Sequence, residues 1–236
     1  MINEASMNNI NSAPSYGRCF DQWRAACPAP WRAYTQHAFV TGLGDGSLPR
    51  SAFLHYLRQD YIFLTHFSRA WALAIVKADD LDEMKAASAT VHALIHEEMQ
   101  LHVRICAAEG ISEQELSDTR EAPQNIAYTR YVLEAGYSGD FLDLLAALAP
   151  CVMGYGEIGA RLAALEPADV YRDWIDTYAS DEYQTLCHDI GTLIDNAVIA
   201  RLGTTAEATP RWQALCDRFR TATELEADFW QIGLSG

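Results

Sequence analysis

Positive charge is scarce in this chain. Of 236 residues, 17 are Lys or Arg against 32 Asp or Glu, a formal net charge of −15 at pH 7. So acidic a surface repels phosphate backbones and anionic lipid headgroups, and no local basic cluster offsets it, so no nucleic-acid or membrane partner is expected. No targeting signal is expected either, because the opening MINEASMNNINSAPSYG is polar and has no apolar stretch. The most apolar stretch, residues 144–153, is half the ~20 residues a membrane span needs. Together these absences lead us to expect a cytoplasmic location. None of the six cysteines (Cys19, Cys27, Cys106, Cys151, Cys187, Cys216) forms a CxxC pair, which argues against a ligand-dense zinc site and for free thiols. No Walker loop or GxGxxG signals a nucleotide. Val and Ile are sparse and period-two alternation is absent, which excludes a sheet-based fold.

Apolar residues at helical spacing fill what remains. Half of the chain is hydrophobic and 21% is charged, a composition that folds. After a loose tail over residues 1–14, helices are expected over 15–27, 31–40 and, past the glycine-rich turn TGLGDGSLP, 49–77. One over 81–108 should stop at Gly110, and a short one should start at the Ser112–Glu115 capping box. Further helices should cover 123–135, 140–165, 168–178, 181–201 and 209–231. Eight to ten helices with short loops make residues 15–236 a single all-α domain.

Four places could carry chemistry. In LLAALAPCVMGYGEIG (144–159), Pro150 should break the helix one residue before Cys151, and Tyr155 shares the face of that thiol. This reads either as a reactive centre or as a buried cysteine in a helix kinked for packing. Asp60 lies on an apolar stripe with Tyr56, Phe63, Leu64 and Phe67. A carboxylate there needs partners, either an arginine, tyrosines or a ligand. Glu226 repeats the theme beside Phe229 and Trp230, unless it is an exposed residue of a terminal helix. Carboxylates and aromatics of this kind suit a flat, hydrogen-bonding ring. The last place is the group His92, His96, Glu98 and His102 on one helix. HEEMQ is not HExxH and the two ExxH motifs of a di-iron bundle are not found, so no metal or other cofactor is expected, and Glu98 and His102 read as supports in a hydrogen-bonded network.

Taken together, these stretches resemble the thiaminase II (TenA-like) family, over about residues 20–233. HAFVTGLGDGSLPRSAFLHYLRQDYIFL (37–64) is similar to the family's HPF-x-x-G-x-GDGTLP-x-x-x-F-x-x-YL-x-QDY, with His37-Ala38 for His-Pro and Ser47 for Thr. LAPCVMGYGEIG (148–159) resembles the nucleophile helix of its cysteine branch, and WIDTYASDEY (174–183) and ELEADFW (224–230) resemble its later motifs. The resemblance implies a haem-oxygenase-like fold, a homotetramer, and hydrolysis of aminopyrimidines or thiamine in thiamine salvage. It also implies roles. Cys151 would add to the pyrimidine, Asp60 would bond the ring nitrogen and exocyclic amine, and Glu226 would exchange a proton at the other nitrogen. Tyr155 and Tyr178 would lie near the thiol and orient it, while Phe63, Tyr128 and Phe229 would line or stack on the ring. Two other readings stay open, a metal-dependent oxidase on the same fold and a non-catalytic binder of a thiamine-related ligand.

Overall fold

The computed structural model describes residues 13–235, so all but the last two residues of the expected tail lie outside the described ones. Among the described residues there is helix and no strand. Helix α1 (Arg18–Ala26) buries Phe20 and Trp23, and α2 (Pro28–Thr35) opens on a proline whose missing N–H costs nothing in a first turn. The helix expected over 31–40 is two helices. The chain breaks at Gln36–His37, where the His37 ring accepts from the Phe39 N–H at 3.2 Å. From there α3 (Ala38–Asp45) runs on through the stretch expected to be a turn. Gly46, with φ 76°, supplies the left-handed cap that ends it.

Helix α4 (Arg50–Lys77) follows Pro49 and buries Phe53, Tyr56, Asp60, Phe63 and Phe67. The helix expected over 81–108 is present but not uniform. A π-helical turn, Leu94–Glu98, joins α5 (Leu81–Ala93) to α6 (Met99–Ala108). Such a turn holds an extra residue and rotates the face presented by the next helical segment. The capping box at Ser112 starts α7 (Glu113–Ser117) as expected. Four longer or later helices complete the chain: α8 (Pro123–Ser138), α9 (Phe141–Ala163), α11 (Asp181–Leu202) and α12 (Pro210–Leu234), with the short α10 (Arg172–Ala179) before α11. The described residues thus hold twelve α-helical segments against the eight to ten expected; the break at His37 and the π turn account for the excess.

Helix α9 is the axis of the fold. Helices α8, α10, α11 and α12 all pack on it, and every residue from Phe141 to Gly159 is buried. By length and apolarity α9 would cross a membrane, but its apolar window is wholly buried inside the protein. The expected break at Pro150 is absent, because α9 continues through it. A mid-helix proline costs ~3 kcal/mol, and packing on all sides outweighs that. Neighbouring helices come close through glycines. A Cβ on Gly154 would lie 2.1 Å from Tyr34 Cε1, and one on Gly159 would lie 2.5 Å from the Tyr178 carbonyl carbon.

Candidate active site

Asp60, one turn after Tyr56 on α4, is 2% exposed. Its partners are one tyrosine and one histidine, not an arginine. The Tyr56 hydroxyl donates to Oδ2 at 2.8 Å and His102 Nε2 lies 2.6 Å from the same oxygen. His102 Nδ1 lies 2.9 Å from the Glu98 carbonyl oxygen. A carbonyl only accepts, so Nδ1 carries a proton, and the carboxylate at Nε2 accepts a second. Burial opposes such an imidazolium, but the Asp60 charge and hydrogen bond outweigh it and raise His102 above its ordinary value. The π turn makes this possible, since it ends at Glu98, whose carbonyl caps His102 one turn later. Among the described residues no donor reaches Asp60 Oδ1, which leaves that oxygen for a ligand.

Glu226, on α12, is 1% exposed and so is no surface residue. Burial pushes its carboxyl up to about 8, even though the Tyr128 hydroxyl donates to Oε1 at 2.8 Å; the Asp60 and Glu98 charges add to the rise. Near neutral pH it is therefore an acid, while Asp60 is an acceptor. Cys151, from α9, has Glu226 as its polar neighbour. Burial first, and then the Glu226, Glu98 and Asp60 charges, hold the thiol well above its ordinary value.

Tyr155 and Tyr178 do not orient the thiol directly. The Tyr155 hydroxyl meets that of Tyr56 at 3.3 Å, and the Tyr178 hydroxyl donates to Glu98 Oε1 at 2.7 Å. Both are spent on the carboxylate supports, and their rings form a wall, with centroids 4.9 Å apart and Tyr155 5.2 Å from Trp230. Phe63, Tyr128 and Phe229 form another wall, with Phe63 5.0 Å from Tyr128 and 5.2 Å from Phe229. The fold thus brings together every residue singled out from the sequence for the ring site. A cavity of 440 Å³ opens between the π turn and the α10–α11 corner, with Leu94, Glu98, Leu101 and Tyr183 in its lining.

The histidine group divides. His102 is committed to Asp60, whereas His92 and His96 pair on the outer part of their helix, with ring centroids 4.5 Å apart. Among the described residues no three His, Cys, Asp or Glu side chains converge as metal ligands. Sequence reasoning missed Tyr34, whose hydroxyl donates to the Pro150 carbonyl at 3.4 Å, beside the thiol. Nothing in PAPWRAYT marks it, since its role comes from the approach of α2 to Gly154.

Known proteins match most of the chain. An aminopyrimidine aminohydrolase of Halalkalibacterium halodurans is 36% identical over 86% of this chain and 89% of its own. A crystal structure from Silicibacter sp. TM1040, described as a TenA family transcription regulator, is 62% identical, covers 94% of this chain and 98% of its own, and has a TM-score of 0.92. A domain of unknown function from Shewanella denitrificans with a heme oxygenase-like fold covers 100% of this chain and 93% of its own, at 12% identity and a TM-score of 0.65. The fold is accordingly the all-α, haem-oxygenase-like one. The TENA/THI-4/PQQC family model matches residues 25–235, and the chain belongs to that family.

Proposed function

We propose that this protein is an aminopyrimidine hydrolase that uses Cys151 as a covalent nucleophile and serves thiamine salvage. The observation that carries this reading is a pair of buried carboxyls in different roles, Asp60 accepting from Tyr56 and His102, and Glu226 bonded to Tyr128, pushed up to about 8 by burial and next to the Cys151 thiol. A 4-aminopyrimidine matches that pair. Its exocyclic amine donates to Asp60 Oδ1, and a ring nitrogen accepts the Glu226 proton.

The same arrangement accounts for how a thiol of high pKa becomes nucleophilic. As sulfur bonds to the ring carbon beside that nitrogen, Glu226 gives its proton to the nitrogen and takes up the thiol proton. No net charge appears in the buried site, where it would be costly. The 4-amino lone pair then expels the substituent on the C5 methylene. Water adds to the resulting exocyclic double bond, and sulfur departs by the reverse proton exchange.

The test is a paired assay of purified protein on 4-amino-5-aminomethyl-2-methylpyrimidine and on thiamine, following ammonia and thiazole release. Turnover of the aminopyrimidine that is lost in Cys151→Ala supports the proposal. Full activity in Cys151→Ala would overturn the mechanism, and turnover of neither substrate would overturn the function.

A further inference from the structure

Glu98 is a half-buried acid that the thiol chemistry leaves unused. Its carboxyl takes the Tyr178 hydroxyl at 2.7 Å on Oε1, and among the described residues no donor reaches Oε2. The same residue lines the 440 Å³ cavity, with Tyr183 beside it. The carboxyl thus borders an opening to the outside, while its charge enters the environment of the buried thiol. Burial first, and then the Asp60 charge, push it up to about 7, so at neutral pH it both gives and accepts a proton readily.

The pyrimidine geometry says what such a group would meet. With the ring nitrogen beside C6 at Glu226, the exocyclic amine at Asp60, and C6 at Cys151, the C5 methylene and its substituent are left for the remaining polar side. That side is the Glu98–Tyr178 pair and the cavity, through which a leaving group would depart. Resting on the proposed function, we propose that Glu98 is a further catalytic residue, the general acid for the departing amine and the general base for the water that replaces it.

The protons balance. When the C–N bond breaks, its electron pair stays on nitrogen, Glu98 supplies a proton, and ammonia leaves a Glu98 carboxylate behind. Water then bonds through oxygen to the methylene and gives a proton to that carboxylate. The sum is amine plus water to alcohol plus ammonia, with Glu98 restored.

A thiazole needs no such proton, because the thiazolium of thiamine departs as a neutral base. The experiment is therefore single-turnover release with enzyme in excess, comparing Glu98→Gln and Glu98→Asp with the wild type on both substrates. Gln keeps an acceptor for Tyr178 and the backbone carbonyl that caps His102. In Glu98→Gln, ammonia release is expected to slow at least tenfold more than thiazole release, and Glu98→Asp should recover most of the difference. If wild type takes only the amine, the trimethylammonium analogue, whose trimethylamine leaves without a proton, replaces thiamine. Equal slowing of both reactions, or of neither, would show Glu98 to be structural and overturn the inference while leaving the proposed function standing. Release of neither leaving group by wild type would sink both.

Discussion

Burial at Glu226 sets the chemistry and costs stability. The proposed mechanism requires its acid form, so kcat for thiazole release from thiamine, which draws no proton from Glu98, is expected to fall as pH rises through about 8. In Glu226→Gln that limb should vanish and kcat should drop ~10²–10⁴-fold, the usual worth of a positioned acid. The stability effect runs the other way. A carboxyl raised above its unfolded value binds its proton more tightly when folded, so stability is lost as pH climbs from the ordinary carboxyl range through about 8. Glu226→Gln should therefore melt at a higher temperature than wild type at pH 9, and a lower one would contradict a buried, destabilising carboxylate. His102→Ala has the opposite sign. It strips one donor from the buried Asp60, leaves Tyr56 alone, and should cost ~3–5 kcal/mol in denaturant unfolding.

Two elements make those residues meet. The first is α9, whose start is a capping box between Asp140 and Asp143. Asp143 also receives Arg211 at 2.9 and 2.7 Å and Arg218 at 3.0 Å. Burial opposes its charge, yet those hydrogen bonds hold it down to about 2. Its contribution is present above the ordinary carboxyl range and is lost as pH falls through about 2. Asp143→Asn should cost ~2–3 kcal/mol at pH 7 and much less at pH 2, read from urea midpoints. The close approach at Gly154 gives a second check, because Gly154→Ala would drive a methyl into Tyr34 and should destabilise by ~1–3 kcal/mol or more. The other element is the π turn. Periodicity marks residues 81–108 as one helix, since a single inserted residue is invisible over so short a window. Its effect becomes visible only where the Glu98 carbonyl and carboxyl find separate partners.

At the scale of the molecule, we propose from the family resemblance that four chains of 26.2 kDa assemble. Val76, Leu81 and Tyr137 leave apolar surface exposed, as such an assembly would use. Light scattering should give four times the chain mass, and a monomer at micromolar concentration would refute it.

Much was already determined in the amino-acid sequence. The all-α class follows from apolar spacing, Asp60 and Glu226 stand out as carboxylates on apolar faces and Cys151 by its place after Pro150, whereas Phe63, Tyr128 and Phe229 are named as ring-lining residues only through the family resemblance. Local pattern reports which side chain faces inward, because helix periodicity is a property of neighbours along the chain. Which groups meet inside is decided by packing between distant segments. Only the tertiary structure therefore carried α9 straight through Pro150 and paired Asp60 with His102 rather than arginine. It likewise set the Tyr155 hydroxyl against that of Tyr56 and the Tyr178 hydroxyl on Glu98, and buried the Glu226 carboxyl deeply enough to push it up.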